Sequence, residues 1–74
     1  MNARHTPTIT VLLDGQPQPL PAGTSLAEFV AQLGRASDAV STAVNGLFVA
    51  RGQRAACVLL AGDAVLLFQP IVGG

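Results

Sequence analysis

Thr24-Ser25-Leu26-Ala27-Glu28-Phe29-Val30-Ala31-Gln32-Leu33-Gly34 is the stretch whose reading decides how this chain folds. Ser25, with Glu28 three residues on, is a capping box that satisfies free N–H groups at a helix start. Leu26, Phe29, Val30 and Leu33 fall at i, i+3, i+4 and i+7, which places them in one stripe. Gly34 stands where a left-handed glycine ends a helix. The spacing predicts one amphipathic helix, and its stripe must be buried against another element.

Outward toward the N-terminus, Thr8-Ile9-Thr10-Val11-Leu12-Leu13 is β-branched and apolar. Ile9, Val11 and Leu13 share one parity and should face the core together. Asp14-Gly15 marks a hairpin turn. The return segment, Gln16 to Pro21, holds three prolines. Proline cannot donate to a ladder, so this is an edge strand or an extended arm. Outward toward the C-terminus, Arg35 to Ser41 reads as a loop. Thr42-Ala43-Val44 and Leu47-Phe48-Val49 flank Asn45-Gly46, a strong hairpin signal. Arg51 to Ala56 reads as a connection and Cys57 to Leu60 as a short strand. Gly62-Asp63 turns the chain into a final strand, Ala64 to Gln69. There are no internal repeats.

The order is therefore strand, strand, helix, then strands. Two hairpins cannot bury their faces alone, so the helix must lie across one mixed sheet. The first and last strands become parallel central neighbours. This is an α+β fold of the β-grasp, or ubiquitin-like, type: four to five strands packed on one main helix. Residues 1–7 are expected as a disordered lead-in, 8–70 as the domain and 71–74 as a flexible Gly-Gly tail.

The last strand is apolar on both parities. A sheet with one wet face should alternate apolar and polar residues. Val65 and Leu67 are assigned to the helix side, Leu66 and Phe68 to the open side. Exposed apolar area often marks a partner surface, so Leu66 and Phe68 are candidate partner-binding residues.

Composition narrows the function classes. The 74 residues are 50% hydrophobic and carry four arginines, four acids and no lysine. The length fits one small domain, and zero net charge argues against nucleic acid and an anionic membrane surface. No apolar run approaches a membrane span, and the lead-in lacks a signal peptide's apolar core. A cytoplasmic location is expected. Cys57 cannot form an intramolecular disulfide, and reads as a small buried hydrophobe.

Classical catalysis is poorly supplied. His5 lies in the lead-in and alone makes no metal site. Asp14, Glu28, Asp38 and Asp63 sit at a turn, a cap, a loop and a turn, with no pair placed for acid–base work. Arg51 and Arg54 flank the second hairpin's exit. Each either solvates the surface or pairs with a partner's carboxylate, and Arg51 is a candidate partner contact. What remains is the carboxylate after Gly73-Gly74, on two residues slender enough to thread a narrow channel. As an anion it is a poor electrophile. Joined to AMP it becomes an anhydride that a sulfur nucleophile opens, leaving a thiocarboxylate. The chain would then be a co-substrate rather than an enzyme.

The sequence resembles the ThiS family of sulfur carriers from about Ile9 to Gly74. The resemblance rests on Ala22-Gly23, Ser25-Leu26-Ala27-Glu28-Phe29-Val30, Ala43-Val44-Asn45-Gly46, Val49 and Arg51. It continues through Ala61-Gly62-Asp63-Ala64-Val65, Leu66-Leu67-Phe68-Gln69 and Gly73-Gly74. It implies that a ThiF-like adenylyltransferase uses ATP to adenylate Gly74, with Gly73 as the slender approach. A cysteine-derived persulfide then supplies sulfur for the thiocarboxylate, and a thiazole synthase takes that sulfur for thiamin. No tightly bound cofactor or metal is implied. Ala50 departs from the proline common in the family, which loosens the hairpin exit. Pro70 is similar to the ending of the molybdopterin synthase small subunit, so a carrier for that pathway is one alternative. A ubiquitin-like covalent modifier and a non-covalent interaction module are the others.

Overall fold

The computed structural model describes residues 7–69; the expected lead-in, His5, and the tail with Gly73 and Gly74 lie outside them. The elements are strands β1 (Thr8–Leu13) and β2 (Gln16–Pro21), helix α1 (Leu26–Gln32), strands β3 (Ser41–Val44) and β4 (Leu47–Val49), a 3₁₀ segment (Arg51–Ala56), and strand β5 (Ala64–Phe68). They build one five-stranded sheet in the order β2-β1-β5-β3-β4. β1 and β5 run parallel at its centre, and every other pairing is antiparallel. This is the mixed β-grasp sheet expected from the element order.

Local chemistry explains the turns. Asp14 and Gly15 have φ of 50° and 84°, and Asn45 and Gly46 have 52° and 83°. Positive φ at both central residues gives the hairpin turn whose twist matches the strands. In α1 the Ser25 side chain accepts from the Glu28 N–H at 3.1 Å, and Glu28 accepts from the Ser25 N–H at 2.8 Å. Such a cap contributes about 1 kcal/mol, which matters in a helix this short. Gly34, at φ 75°, ends the helical path.

The core is Val11, Leu20, Leu26, Phe29, Val30, Val40, Leu59 and Val65, all buried. Ile9, Leu13, Leu33 and Leu67 pack against it while half-buried. The helix stripe thus covers one face of the sheet. Phe29 is its largest member, and its burial stabilises the fold by about 2–3 kcal/mol.

β2 lies at the edge, as its prolines require. Ala22 donates to the Pro7 carbonyl at 2.8 Å. In an antiparallel pair the N–H direction alternates, so the even-numbered residues face β1. Pro17, Pro19 and Pro21 occupy the outward positions, and the outer edge offers no N–H there.

Three expectations need correction. Cys57 to Leu60 is not a strand of the sheet: only Val58 bridges, to Ser25. Leu26 donates to the Cys57 carbonyl at 2.8 Å and Leu59 to the Thr24 carbonyl at 2.9 Å, so the segment is bound to the helix start instead. The Arg51–Ala56 connection winds into 3₁₀ turns. Arg54 neither solvates the surface nor meets a carboxylate among its hydrogen-bond partners; it is 3% exposed. Its Nε donates to the Thr42 hydroxyl at 3.0 Å, Nη1 to the Ser37 carbonyl at 2.8 Å and Nη2 to the Val40 carbonyl at 2.7 Å.

Candidate functional site

Four of the seven exposed large apolar residues among those described, Leu12, Phe48, Leu66 and Phe68, lie on the face of the sheet opposite α1. On β5, Val65 is fully buried, whereas Leu66 is 46% and Phe68 41% exposed. This is the alternation assigned from the sequence. Leu66 pairs with Ala43, which pairs with Phe48 across the second hairpin. Paired residues share a face, so Leu66, Ala43 and Phe48 form one row. Phe68 stands opposite Ser41 in the next row. Leu12 of β1 lies opposite Ala64 and also faces outward. Leu12, Phe48, Leu66 and Phe68, from β1, β4 and β5, thus make a patch that spans four neighbouring strands.

Phe48 and Leu12 were missed in the sequence reading, and both carried a signal. Leu12 has the parity opposite to Ile9, Val11 and Leu13. The two-residue turn at Asn45-Gly46 fixes Phe48 opposite Ala43, on the same side as Leu66.

Polar groups around this face hold the backbone. Asn45 bridges the second hairpin to the start of β5. Its Nδ2 donates to Asp63 Oδ1 at 3.0 Å, and its Oδ1 accepts from the Ala64 N–H at 3.0 Å. Asp63 Oδ2 also accepts from the Leu60 N–H at 2.8 Å. Glu28 is engaged in the helix cap and Asp38 lies in an exposed loop. Asp14, in the first hairpin turn, accepts from the Leu67 N–H through Oδ1 at 3.4 Å. The described residues hold no group of three or more metal-ligating side chains. Cys57 is half-buried and packs against the core. No helix among the described residues is long and apolar enough to cross a membrane.

Arg51 is exposed and stands apart from Leu66 and Phe68, on the 3₁₀ segment next to Arg54. Burial, and then the nearby Arg51 charge, pull the Arg54 guanidinium below its ordinary pKa. Gly73 and Gly74 lie outside the described residues. β5 ends at Phe68, itself a residue of the open patch.

Known proteins share this arrangement. The crystal structure of the thiamine biosynthesis protein ThiS from Geobacter metallireducens matches with a TM-score of 0.78 at 23% identity, covering 89% of this chain and 100% of that one. The solution structure of a thiamine biosynthesis protein from the same organism matches with a TM-score of 0.70 at 23% identity, covering 89% and 88%. At that identity the likeness shows the fold. Among curated proteins none matches the chain. The family model for ThiS matches residues 9–74, which takes in both hairpins, the capped helix, β5 and the two final glycines, and on that match the chain belongs to the ThiS family.

Proposed function

We propose that this chain is a sulfur carrier for thiamin thiazole synthesis, with the Gly74 carboxylate as its reactive group. The observation that carries the reading is the family match over residues 9–74, which takes in Gly74. A ThiF-like partner joins Gly74 to AMP, expelling pyrophosphate from ATP. A persulfide sulfur derived from cysteine displaces AMP, and a thiol then attacks the outer sulfur of the resulting acyl disulfide, releasing the thiocarboxylate and leaving as a disulfide. A thiazole synthase then accepts the sulfur. The partners supply the catalytic groups, in a cytoplasmic setting.

The open sheet face gives the reading a physical basis. Leu12, Phe48, Leu66 and Phe68 form an apolar patch where the chain departs for its tail. A partner seated there holds the tail on a short tether. Gly74 is five residues beyond Gln69 and can reach at most about 17 Å from it. Docking the patch therefore fixes the region in which the carboxylate is presented. Gly73 and Gly74 add no side chains to obstruct a narrow channel.

The test is intact mass after incubation with ATP, a ThiF-like enzyme and a sulfur source. Exchange of a terminal oxygen for sulfur adds about 16 Da, a covalent change at the chain end. Fragmentation must place that gain on Gly74, because oxidation of Met1 or Cys57 adds nearly the same mass. A gain on Gly74 that needs ATP is expected. Its absence with a demonstrably active enzyme overturns the proposal.

A further inference from the structure

Three of the four arginines gather where α1 meets the 3₁₀ segment, and two of them, Arg51 and Arg54, reach toward Phe48 at the margin of the apolar patch. Arg35 follows α1, and Arg51 and Arg54 belong to the 3₁₀ segment. With Val30, Ala31 and Ser37 they line a cavity of about 150 Å³, and no described residue lining it is acidic. An adjoining depression of about 240 Å³ shares Ser37, Arg51 and Arg54 and adds one acid, Asp38, and the patch residue Phe48.

Arg54 is the unusual member. A guanidinium has five N–H donors. Three of Arg54's go to neutral oxygens of Thr42, Ser37 and Val40, which leaves two. Among the described residues its buried charge is met by dipoles, and a charge removed from water without a counter-ion is costly. Arg51 adds repulsion, one cause of Arg54's lowered pKa after burial itself. The carbonyl end of α1 opposes an anion here with roughly half a negative charge. Three full positive charges outweigh it.

We propose that the Arg35–Arg51–Arg54 cavity binds a phosphate-class oxyanion. Planar guanidinium forks match phosphate oxygens bidentately, and three of them exceed what one carboxylate neutralises. The source is free phosphate or pyrophosphate, or the phosphates of a nucleotide. The inference rests on Arg35, Arg51 and Arg54 and not on Gly74, so it stands or falls separately from the carrier reading.

The test is an NMR titration of the full chain with phosphate, pyrophosphate, ATP and acetate, at ionic strength held constant with sodium chloride. The reporters are the Arg54 Nε–H and the backbone amides of Arg35, Ser37 and Arg51. Saturable shifts are expected with a phosphate-bearing anion, at least about tenfold tighter than with acetate. Arg35→Gln and Arg51→Gln, both at exposed positions, should each weaken binding about tenfold, as for one lost charge-assisted contact. Saturation by phosphate or pyrophosphate alone assigns the free anion; saturation by ATP as well extends the site to nucleotide phosphates. Shifts that merely follow ionic strength, equal binding of acetate, or unchanged affinity in both variants would overturn the proposal.

Discussion

Arg54 shows what a single residue does in this fold. One guanidinium ties together the loop at Ser37, the entry to β3 at Val40 and the Thr42 hydroxyl. Thr42 in turn donates to the Val49 carbonyl at 2.9 Å, so the 3₁₀ segment, β3 and β4 are joined through one side chain. Arg54→Met should cost about 2–4 kcal/mol, because buried acceptors lose their donors. For a domain of this size that lowers Tm by roughly 10 °C or more. Arg54→Lys should fail to restore it, since an ammonium cannot serve acceptors spread around a planar fork. Thermal unfolding by circular dichroism checks both. Nothing in Arg51-Gly52-Gln53-Arg54 announces this role, because all three acceptors lie at least twelve residues away. Gly74 is the opposite case. Its role is argued from the sequence and the family, and deleting it should abolish sulfur loading while leaving Tm unchanged. Sulfur transfer by the deletion variant at the full rate would refute the carrier mechanism.

Elements were legible where their signals are local. The capping box, the apolar stripe and Gly34 define α1 within one turn at either end. Asp14-Gly15 and Asn45-Gly46 define both hairpins and their registers. The segment from Cys57 to Leu60 was not legible. It alternates apolar residues as a strand does, with Leu59 buried between exposed Val58 and Leu60. Its backbone partners, however, are at the helix start rather than on a strand. Asn45 serves its element twice, by tolerating positive φ and by bridging Asp63 and Ala64. Asn45→Ala removes both and should cost about 1–3 kcal/mol. Asn45→Gly keeps the turn but loses the bridge, and should fall between wild type and the alanine variant. Urea denaturation of the three chains tests that ranking.

At the scale of the whole molecule, the sheet divides labour between its faces. One carries the core under α1, and the other carries Leu12, Phe48, Leu66 and Phe68. The apolar double parity of β5 gave that division away in the sequence. The arginine cavity did not show there, since it needs the 3₁₀ segment folded against the end of α1. If the proposed activating partner docks on this face, Phe68→Asp should weaken its binding by tenfold or more, as expected for an aromatic contact at an interface, yet change stability by only about 0.5 kcal/mol. A large fall in Tm would instead place Phe68 in the core. The proline-lined margin of β2 has its own consequence for how copies of this protein meet. Fibre growth by strand addition needs two reactive ends on every unit. Among the described residues, β2 lacks amide donors at its outward positions, and the three-residue β4 is the edge left open at the other side. Each molecule is therefore a chain stopper: two copies joined through β4 would present only capped ends, and assembly would halt at the pair.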